Sequence, residues 1–411
     1  MEGKVRCHTR GNLVVENGWL DSCARARAKR LTAKLVEVRK TAKEAKIGRR
    51  SGISQNGFGG ALYAMRRKWF LVLVGTLGFA ALGWSQDLGE WTDSYVKDLA
   101  PAKHFRGTIV AERNGQVLVA KSYGMAVEEW QIPNSLETKF EIASLSKQFT
   151  AAAILQLADS GKLNVEDPVS KYYPESPPSW KGMTIHHLLT HTSGLPENEW
   201  ENFFKGKCTP YTTEEQVKTF RDRPLGFPPG SSWKYRNTEY YLLAFIIEKL
   251  SGESYGTYLA RHIFEPLKMT DSGFASMVEI VPQMAEGYTR EGSTLRLREY
   301  FDRSMETGAG GIHTNADDLL RWNKALDAPG LLSAHALELM FTAHPPGNYG
   351  YGWFVETSPR RKIYHEGGDP GFAAFEARYP DQHIVIVVLA NEDDSPVRDI
   401  ADAMAKHLFG D

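Results

Sequence analysis

The sequence predicts an α+β fold in which one antiparallel sheet is formed from both ends of the chain, flanked by helices, with a mostly helical lobe inserted. Two observations support this prediction. Short strand-like segments occur soon after residue 100 and again after residue 350, whereas residues 165–345 show mainly helical spacing and loops. Strands at the two ends of one domain pair most simply by sharing a single sheet.

The first two strands of this sheet are predicted at 107–113 and 116–122, joined by Asn114-Gly115. An Asn-Gly pair is the strongest two-residue hairpin signal, because both residues adopt positive φ readily. A short helix is predicted before them, at 93–99. The two strands are therefore expected to form a hairpin.

A long helix is predicted at 145–160, directly after an extended segment at 139–143. Gly161 follows the helix, and glycine commonly ends one. Apolar residues occupy most faces of the helix, so we expect it to be buried. These residues include Phe149, Ala152, Ala153, Ile154, Leu155 and Leu157.

The C-terminal region returns to β structure, with a turn at Pro380-Asp381 and a final helix at 395–408. Short apolar runs bounded by turn residues indicate four strands there. They are predicted at 351–356, 362–365, 373–379 and 383–389. These strands would complete the sheet that the N-terminal hairpin begins.

Charge is distributed unevenly along the 411 residues, although the net charge is only -1. Residues 1–64 hold 14 Lys and Arg against 5 Asp and Glu, a charge of +9. From residue 86 onward, 32 Lys and Arg stand against 45 Asp and Glu, a charge of -13. Affinity for nucleic acid depends on basic residues, so the acidic folded part argues against a nucleic-acid partner.

Residues 65–85 have the features of a secretory signal peptide. Basic residues 66–68 precede an apolar stretch at 69–84, and small residues suit cleavage after Ser85. The stretch is shorter than the roughly 20 residues that a spanning helix needs. We therefore expect a periplasmic or secreted protein, with an uncleaved membrane anchor through residues 69–84 as the alternative. Residues 1–64 are then an upstream extension with no assigned function.

Cysteine and histidine positions predict neither a disulfide nor a metal site. Cys7 and Cys23 lie in the extension, which leaves Cys208 alone in the folded part. His187 and His191 are four residues apart on one helical face, a spacing that occurs in metal pairs. No third ligand is evident nearby, so we expect structural histidines and no metal or other cofactor.

The pattern Ser-x-x-Lys occurs three times, beginning at Ser94, Ser144 and Ser231. Only Ser144 lies between an extended segment and a long buried helix, where its hydroxyl faces the positive end of the helix dipole. Lys147 follows one turn later on the same face. Burial would disfavour the charged lysine and make it a proton acceptor. Ser144 is therefore the candidate nucleophile.

A second candidate nucleophile is Ser254, within the Gly-x-Ser-x-Gly pattern of residues 252–256. That motif requires a strand before the serine and a helix after it. Residues 240–250 have helical spacing instead. Ser254 is better explained as the N-cap of a helix at 255–264.

Two further motifs follow Ser144 in order, and the whole set resembles the serine β-lactamase and penicillin-binding-protein-like hydrolases. This family includes class C β-lactamases, D-alanyl-D-alanine carboxypeptidases and related esterases. The resemblance is carried by Ser144 and Lys147, Tyr235-Arg236-Asn237, His365-Glu366-Gly367-Gly368, Gly308-Ala309-Gly310-Gly311 and the segment 184–196. It covers about residues 91–409 and implies one β-lactamase/transpeptidase-like domain over 91–411.

The resemblance implies that Ser144 is the nucleophile and that Lys147 and Tyr235 share the acid and base roles. Which of the two takes the serine proton is left open. A phenol beside a cationic lysine is expected to have a lowered pKa. Asn237 would orient Lys147 or a substrate amide.

The third motif would support the substrate. By resemblance, the backbone N–H groups of Ser144 and Gly368 form the oxyanion hole, with His365 and Gly367 beside it. Class C β-lactamases carry Lys-Thr-Gly here, and this chain has His-Glu-Gly. If Glu366 faces the cleft, its carboxylate repels a substrate carboxylate, so esters are expected to react better than penicillins.

The predicted function is a serine hydrolase that forms a covalent acyl-enzyme with an ester, amide or peptide. Its partner would be a small-molecule or peptidoglycan-derived substrate. Two alternatives are a true β-lactamase and a non-catalytic penicillin- or peptidoglycan-recognition module. The complete set of Ser144, Lys147, Tyr235 and Asn237 favours an enzyme.

Overall fold

A computed structural model describes residues 88–99, 104–197, 210–274 and 279–411. The predicted extension at 1–64, the predicted signal peptide at 65–85 and Cys208 lie outside the described residues. None of the described helices is both long enough and apolar enough to cross a bilayer.

Six strands form the main antiparallel sheet, and they come from both ends of the folded chain. The strands in chain order are β1 (Gly107–Arg113), β2 (Gln116–Tyr123), β3 (Met125–Val127), β4 (Ile132–Pro133), β5 (Phe140–Glu141), β6 (Gly273–Phe274), β7 (Tyr288–Glu291), β8 (Thr294–Leu297), β9 (Ile312–Thr314), β10 (Phe354–Glu356), β11 (Lys362–Asp369), β12 (Phe372–Tyr379) and β13 (Ile384–Ala390). The order across the main sheet is β10-β11-β12-β13-β1-β2. The pairing of β13 with β1 joins the two ends of the chain, as predicted.

Helices cover both faces of this sheet. They are α1 (88–97), α2 (Ser146–Asp159), α3 (Ile185–Leu189), α4 (Thr213–Lys218), α5 (Asn237–Ser251), α6 (Tyr255–Leu259), α7 (Glu265–Leu267), α8 (Ala316–Ala325), α9 (Ala334–Met340) and α10 (Val397–Phe409). The larger core contains α2 and α5, and the smaller core contains α10 and the start of α1.

Successive side chains of the central strands pack alternately into the larger and the smaller core. On β12, Ala374 lies in the larger core and Phe375 in the smaller one. On β13, Leu389 and Val388 divide in the same way. Because successive side chains of a strand point to opposite faces, a strand covered on both sides reads as a continuous apolar run.

The structure corrects several predicted boundaries. Strand β1 and its hairpin to β2 match the prediction, but β11 continues to Asp369 instead of ending at residue 365. The middle of the chain is also less helical than expected, because β7 and β8 form a hairpin there. Charged residues along that hairpin obscure its alternation, since neither of its faces is fully buried.

Candidate active site

Ser144 lies in a tight turn of 3-10 helix, Ala143–Leu145, that leads directly into α2. Ala143 has a φ of 46°, an unusual value for a residue with a side chain, and it turns the chain sharply out of β5. Between residues 141 and 155, all of them described, only Ser144 is not buried. The local fold therefore presents one hydroxyl at the surface of a buried segment.

Lys147 is completely buried, one turn along α2, and its Nζ meets three acceptors. It donates to Ser144 Oγ at 3.0 Å, to Asn237 Oδ1 at 2.8 Å and to the Ala309 carbonyl at 3.0 Å. Burial lowers the pKa of Lys147 to about 7, against an opposing effect of the buried Glu306 carboxyl. A lysine in this state can accept a proton near neutral pH.

Tyr235 and Asn237 also lie next to Lys147. Lys147 Nζ lies 4.8 Å from the centre of the Tyr235 ring, and the N–H of Asn237 donates to Glu197 at 2.9 Å. The expected fall in the Tyr235 pKa is wrong. Burial raises that pKa, and the neighbouring Ser144 hydroxyl lowers it by less. The phenol therefore stays protonated at neutral pH.

A buried pair behind Tyr235 was missed by sequence reasoning. His191 Nδ1 contacts the Glu239 carboxyl, and the His191 ring lies 4.4 Å from the Tyr235 ring. Burial lowers the pKa of His191 and raises that of Glu239, so it favours the uncharged form of each side chain. Glu239 follows Asn237 by two residues at the start of α5. This closeness to a predicted site residue is the sequence feature that could have indicated Glu239.

The third motif lies on β11, whose outer edge is only partly covered. Strand β10 pairs with Lys362–Tyr364 alone, so the edge from His365 onward is open. A Cβ at Gly367 would lie 2.3 Å from the Ile142 carbonyl oxygen, so only glycine allows the turn of Ser144 to approach. Gly368 is exposed and has open space around it.

His365 is buried on the inner face of β11 and is held at both ring nitrogens. Its Nδ1 donates to the Glu366 carbonyl at 2.7 Å, which leaves Nε2 to accept from the Tyr349 hydroxyl at 2.9 Å. Burial and the charge of Lys147 lower the pKa of His365 to about 3. His365 is therefore neutral at pH 7 and offers no positive charge to a substrate.

Glu366 does not face the cleft, which corrects the proposed electrostatic clash. It is exposed on the opposite face of β11 from His365, and its carboxylate lies 3.8 Å from Arg398 on α10. Alternation along the strand is the reason, because neighbouring residues point to opposite faces. Repulsion of a substrate carboxylate therefore cannot be assigned to Glu366.

The competing serines have ordinary structural roles. Ser254 caps α6 by accepting from the N–H of Thr257, as predicted, and no strand precedes it. Ser231 donates to the Pro228 carbonyl within a loop.

His187 and His191 have different partners. His187 accepts from the N–H of Thr184 in a capping box, whereas His191 contacts Glu239. Within the described ranges, no group of three or more His, Cys, Asp and Glu residues is placed to bind a metal.

Comparison with known proteins identifies the family of the chain. The Beta-lactamase family model matches residues 92–411. The chain is 34% identical over 305 residues to the putative penicillin-binding protein PbpX of Bacillus subtilis (strain 168), covering 74% of each protein.

Solved structures give the same result. A penicillin-binding protein from Bacillus halodurans is similar with a TM-score of 0.67 and 29% identity, covering 74% of this chain and 97% of that one. The D-amino acid amidase from Ochrobactrum anthropi SV3 shares the fold, with a TM-score of 0.69 and 22% identity over 80% of this chain and 99% of that one. The chain therefore belongs to the Beta-lactamase family and has its penicillin-binding-protein-like fold.

Proposed function

We propose that this protein is a serine hydrolase that forms a covalent acyl-enzyme at Ser144 and acts on an ester or amide bond. One observation carries the proposal. Lys147 Nζ lies 3.0 Å from Ser144 Oγ, and burial lowers the pKa of that lysine to about 7. A nucleophile and its base are thus within hydrogen-bond reach at neutral pH.

Lys147 is the general base in this proposal. Near pH 7 about half of the Lys147 side chains are unprotonated and can take the proton of Ser144 Oγ. The oxygen then forms a bond to the substrate carbonyl carbon. Tyr235 keeps its proton in the free enzyme, which suits it to pass a proton to the departing alcohol or amine. Water then attacks the acyl carbon and gives a proton to the deprotonated Tyr235. As the bond from that carbon to Ser144 Oγ breaks, Lys147 returns its proton to Ser144 Oγ.

The oxyanion of this reaction would be held by the backbone N–H groups of Ser144 and Gly368. Ser144 is the last residue but one before α2, so the helix dipole favours negative charge there. Gly368 lies on the open part of the β11 edge, where a substrate carbonyl can approach. His365 acts as a neutral support for this strand, through Tyr349.

The favoured substrates are esters and small amides. The amide class is also that of the D-amino acid amidase whose fold this chain shares, as the name of that enzyme states. His365 is neutral, so the cleft lacks the cation with which the lysine of a Lys-Thr-Gly motif would attract a carboxylate. We further propose that the enzyme works after export, because residues 65–85 have the composition of a signal peptide.

Intact-mass analysis tests the acyl-enzyme directly. Wild-type protein and Ser144→Ala would each be exposed to p-nitrophenyl butyrate, a penicillin and a D-alanyl peptide, then quenched in acid. A wild-type adduct equal to the acyl group, absent from Ser144→Ala, is the expected result. Turnover that persists in Ser144→Ala would refute the assignment.

The same experiment separates an enzyme from a recognition module. A module that kept the cleft without catalysis would bind a penicillin or form a long-lived adduct without releasing product. We expect product release in many cycles per protein molecule with the ester. A stable adduct with no release from any substrate would favour the non-catalytic alternative.

A further inference from the structure

A cavity of about 740 Å³ lies directly beside Gly368, the residue proposed for the oxyanion hole. Its walls are the β7–β8 hairpin, the turn between β11 and β12 and the loop before α10. At the next residue, Gly367, the strand packs against the carbonyl of Ile142, two residues before Ser144. A substrate whose carbonyl is held by the backbone N–H of Gly368 would therefore lie beside this cavity.

The cavity wall is strongly acidic. Its charged residues are Glu291, Glu299, Asp369, Asp393, Asp394 and Arg296, that is, five carboxyl groups against one guanidinium. The guanidinium is engaged by Glu291, with an Arg296 Nε to carboxylate distance of 3.1 Å. Within the described part of the chain, Glu299 and Asp394 form no ion pair, and both are exposed at the rim. The carboxylates of Glu299 and Asp394 are therefore charges of the cavity that no ion pair with a described residue compensates.

Asp369 is the buried member of this acidic wall, with 8% of its surface exposed. Its carboxyl is hydrogen-bonded to the Glu306 carboxyl beside it. Burial and this neighbour raise the pKa of Asp369, since two carboxylates so placed cannot both ionise cheaply. A cation that entered the cavity would favour ionisation of this pair of carboxyls.

We infer that this cavity is a substrate subsite for a positively charged group, an ammonium or a guanidinium, carried by the molecule that Ser144 attacks. The inference rests on the proposed function and narrows its substrate class. A cation attached a few atoms from the reacting carbonyl would enter an acidic cavity with low-dielectric walls, where attraction is stronger than in water. A carboxylate at the same place would be repelled.

Matched pairs of esters test the subsite. In the first pair, butyrylthiocholine carries the cation in its leaving group and 3,3-dimethylbutyl thiobutyrate is its neutral isostere. In the second, p-nitrophenyl 4-(trimethylammonio)butyrate carries the cation in its acyl group and p-nitrophenyl 5,5-dimethylhexanoate is neutral. Each kcat/KM is divided by the rate constant of that ester with hydroxide, which removes differences in intrinsic reactivity.

We expect the cationic member of at least one pair to be preferred by tenfold or more at low ionic strength, and less so in high salt. The double variant Glu299→Gln/Asp394→Asn should lower the preference to about threefold or below. Asp381→Asn is the control for surface charge, because it removes one carboxylate, where the double variant removes two, from the exposed turn at the opposite end of β12. Ratios near one in both wild-type pairs would overturn the subsite while leaving the hydrolase intact.

A binding measurement keeps the inference testable if no ester reacts. Choline and its neutral isostere 3,3-dimethylbutan-1-ol would be compared on Ser144→Ala by saturation-transfer NMR. Stronger binding of choline, reduced by Glu299→Gln/Asp394→Asn and kept in Asp381→Asn, would support the subsite even though the proposed function had failed. Equal or undetectable binding of the two alcohols would contradict it.

Discussion

At the scale of single residues, the reactivity of the site depends on how Lys147 is buried. Desolvation lowers the pKa of Lys147 to about 7, and the nearby Glu306 carboxyl opposes that effect. The Ser144 hydroxyl and the Asn237 amide hold Nζ in place. The same burial keeps Tyr235 protonated. In the proposed mechanism, one dry environment therefore suits the lysine to act as base and the tyrosine to act as acid.

The first prediction concerns pH dependence. Lys147 must be unprotonated to act as a base, so kcat/KM should rise with pH through an acidic limb near pH 7. Glu306→Gln removes a carboxyl that favours the protonated lysine, so the limb should move to lower pH. Profiles with p-nitrophenyl butyrate between pH 5 and 9 would measure it. A limb that stays in place in Glu306→Gln would argue against Lys147 as the titrating base.

The second prediction separates the two serines. Ser254→Ala should leave ester hydrolysis and labelling by a phosphonate unchanged, because Ser254 caps a helix away from Lys147. It should lower the free energy of unfolding by about 0.5–2 kcal/mol through loss of the cap. Urea denaturation and active-site titration would be run on the same preparation. Loss of labelling in a folded Ser254→Ala protein would restore the alternative nucleophile.

At the scale of elements, the contact between the Ser144 turn and β11 aligns the site. Gly367 makes that contact possible, because any Cβ there would overlap the Ile142 carbonyl. The turn, the strand and α5 come from three distant parts of the sequence. The precision of the site therefore depends on backbone packing as much as on its side chains.

The third prediction tests this contact. Gly367→Ala should destabilise the protein by about 1–3 kcal/mol, as overpacking does, and reduce kcat/KM at least tenfold by displacing Ser144. Gly368→Ala is the stability control, because a Cβ there meets open space. Thermal and urea unfolding would compare the two. Equal stability of both variants would show that the turn does not press on β11.

The fourth prediction follows from the direction of Glu366. Because this side chain lies beside Arg398 on the far face of β11, Glu366→Thr should leave the ratio of kcat/KM for p-nitrophenyl butyrate and nitrocefin unchanged within about twofold. His365→Lys is the contrasting variant, since it places a cation on the inner face. A shift in the ratio produced by Glu366→Thr alone would mean that the carboxylate reaches the cleft.

At the scale of the whole molecule, charge is divided along the chain, with +9 over residues 1–64 and -13 from residue 86. The cavity beside Gly368 contains five of the surplus acidic residues. An acidic domain of this kind is suited to attract cationic substrates and to avoid nucleic acid.

The fifth prediction concerns processing. In a host that exports the protein, the mature chain should begin near Gln86, because the basic, apolar and small-residue regions end at Ser85. Edman sequencing or intact-mass analysis of the exported protein would identify its first residue. Recovery of residues 1–64 on that protein would contradict the prediction.

The sequence by itself determined the sheet, the order of the motifs and the family. These properties are local or periodic: Asn114-Gly115 favours its own hairpin, and the apolar alternation of β12 and β13 requires cover on both faces. The pairing of Ser144 with Lys147 also follows from the helical repeat, which brings residues three apart onto one face.

Tertiary structure decided everything that depends on which side chains meet. It directed Glu366 to Arg398 and away from the cleft, and it placed His191 against Glu239, 48 residues further along the chain. It also raised the pKa of Tyr235, where neighbouring charge alone had suggested a fall. Burial and long-range contact set these properties, and neither has a signature in local spacing, because both are created only when distant segments pack together.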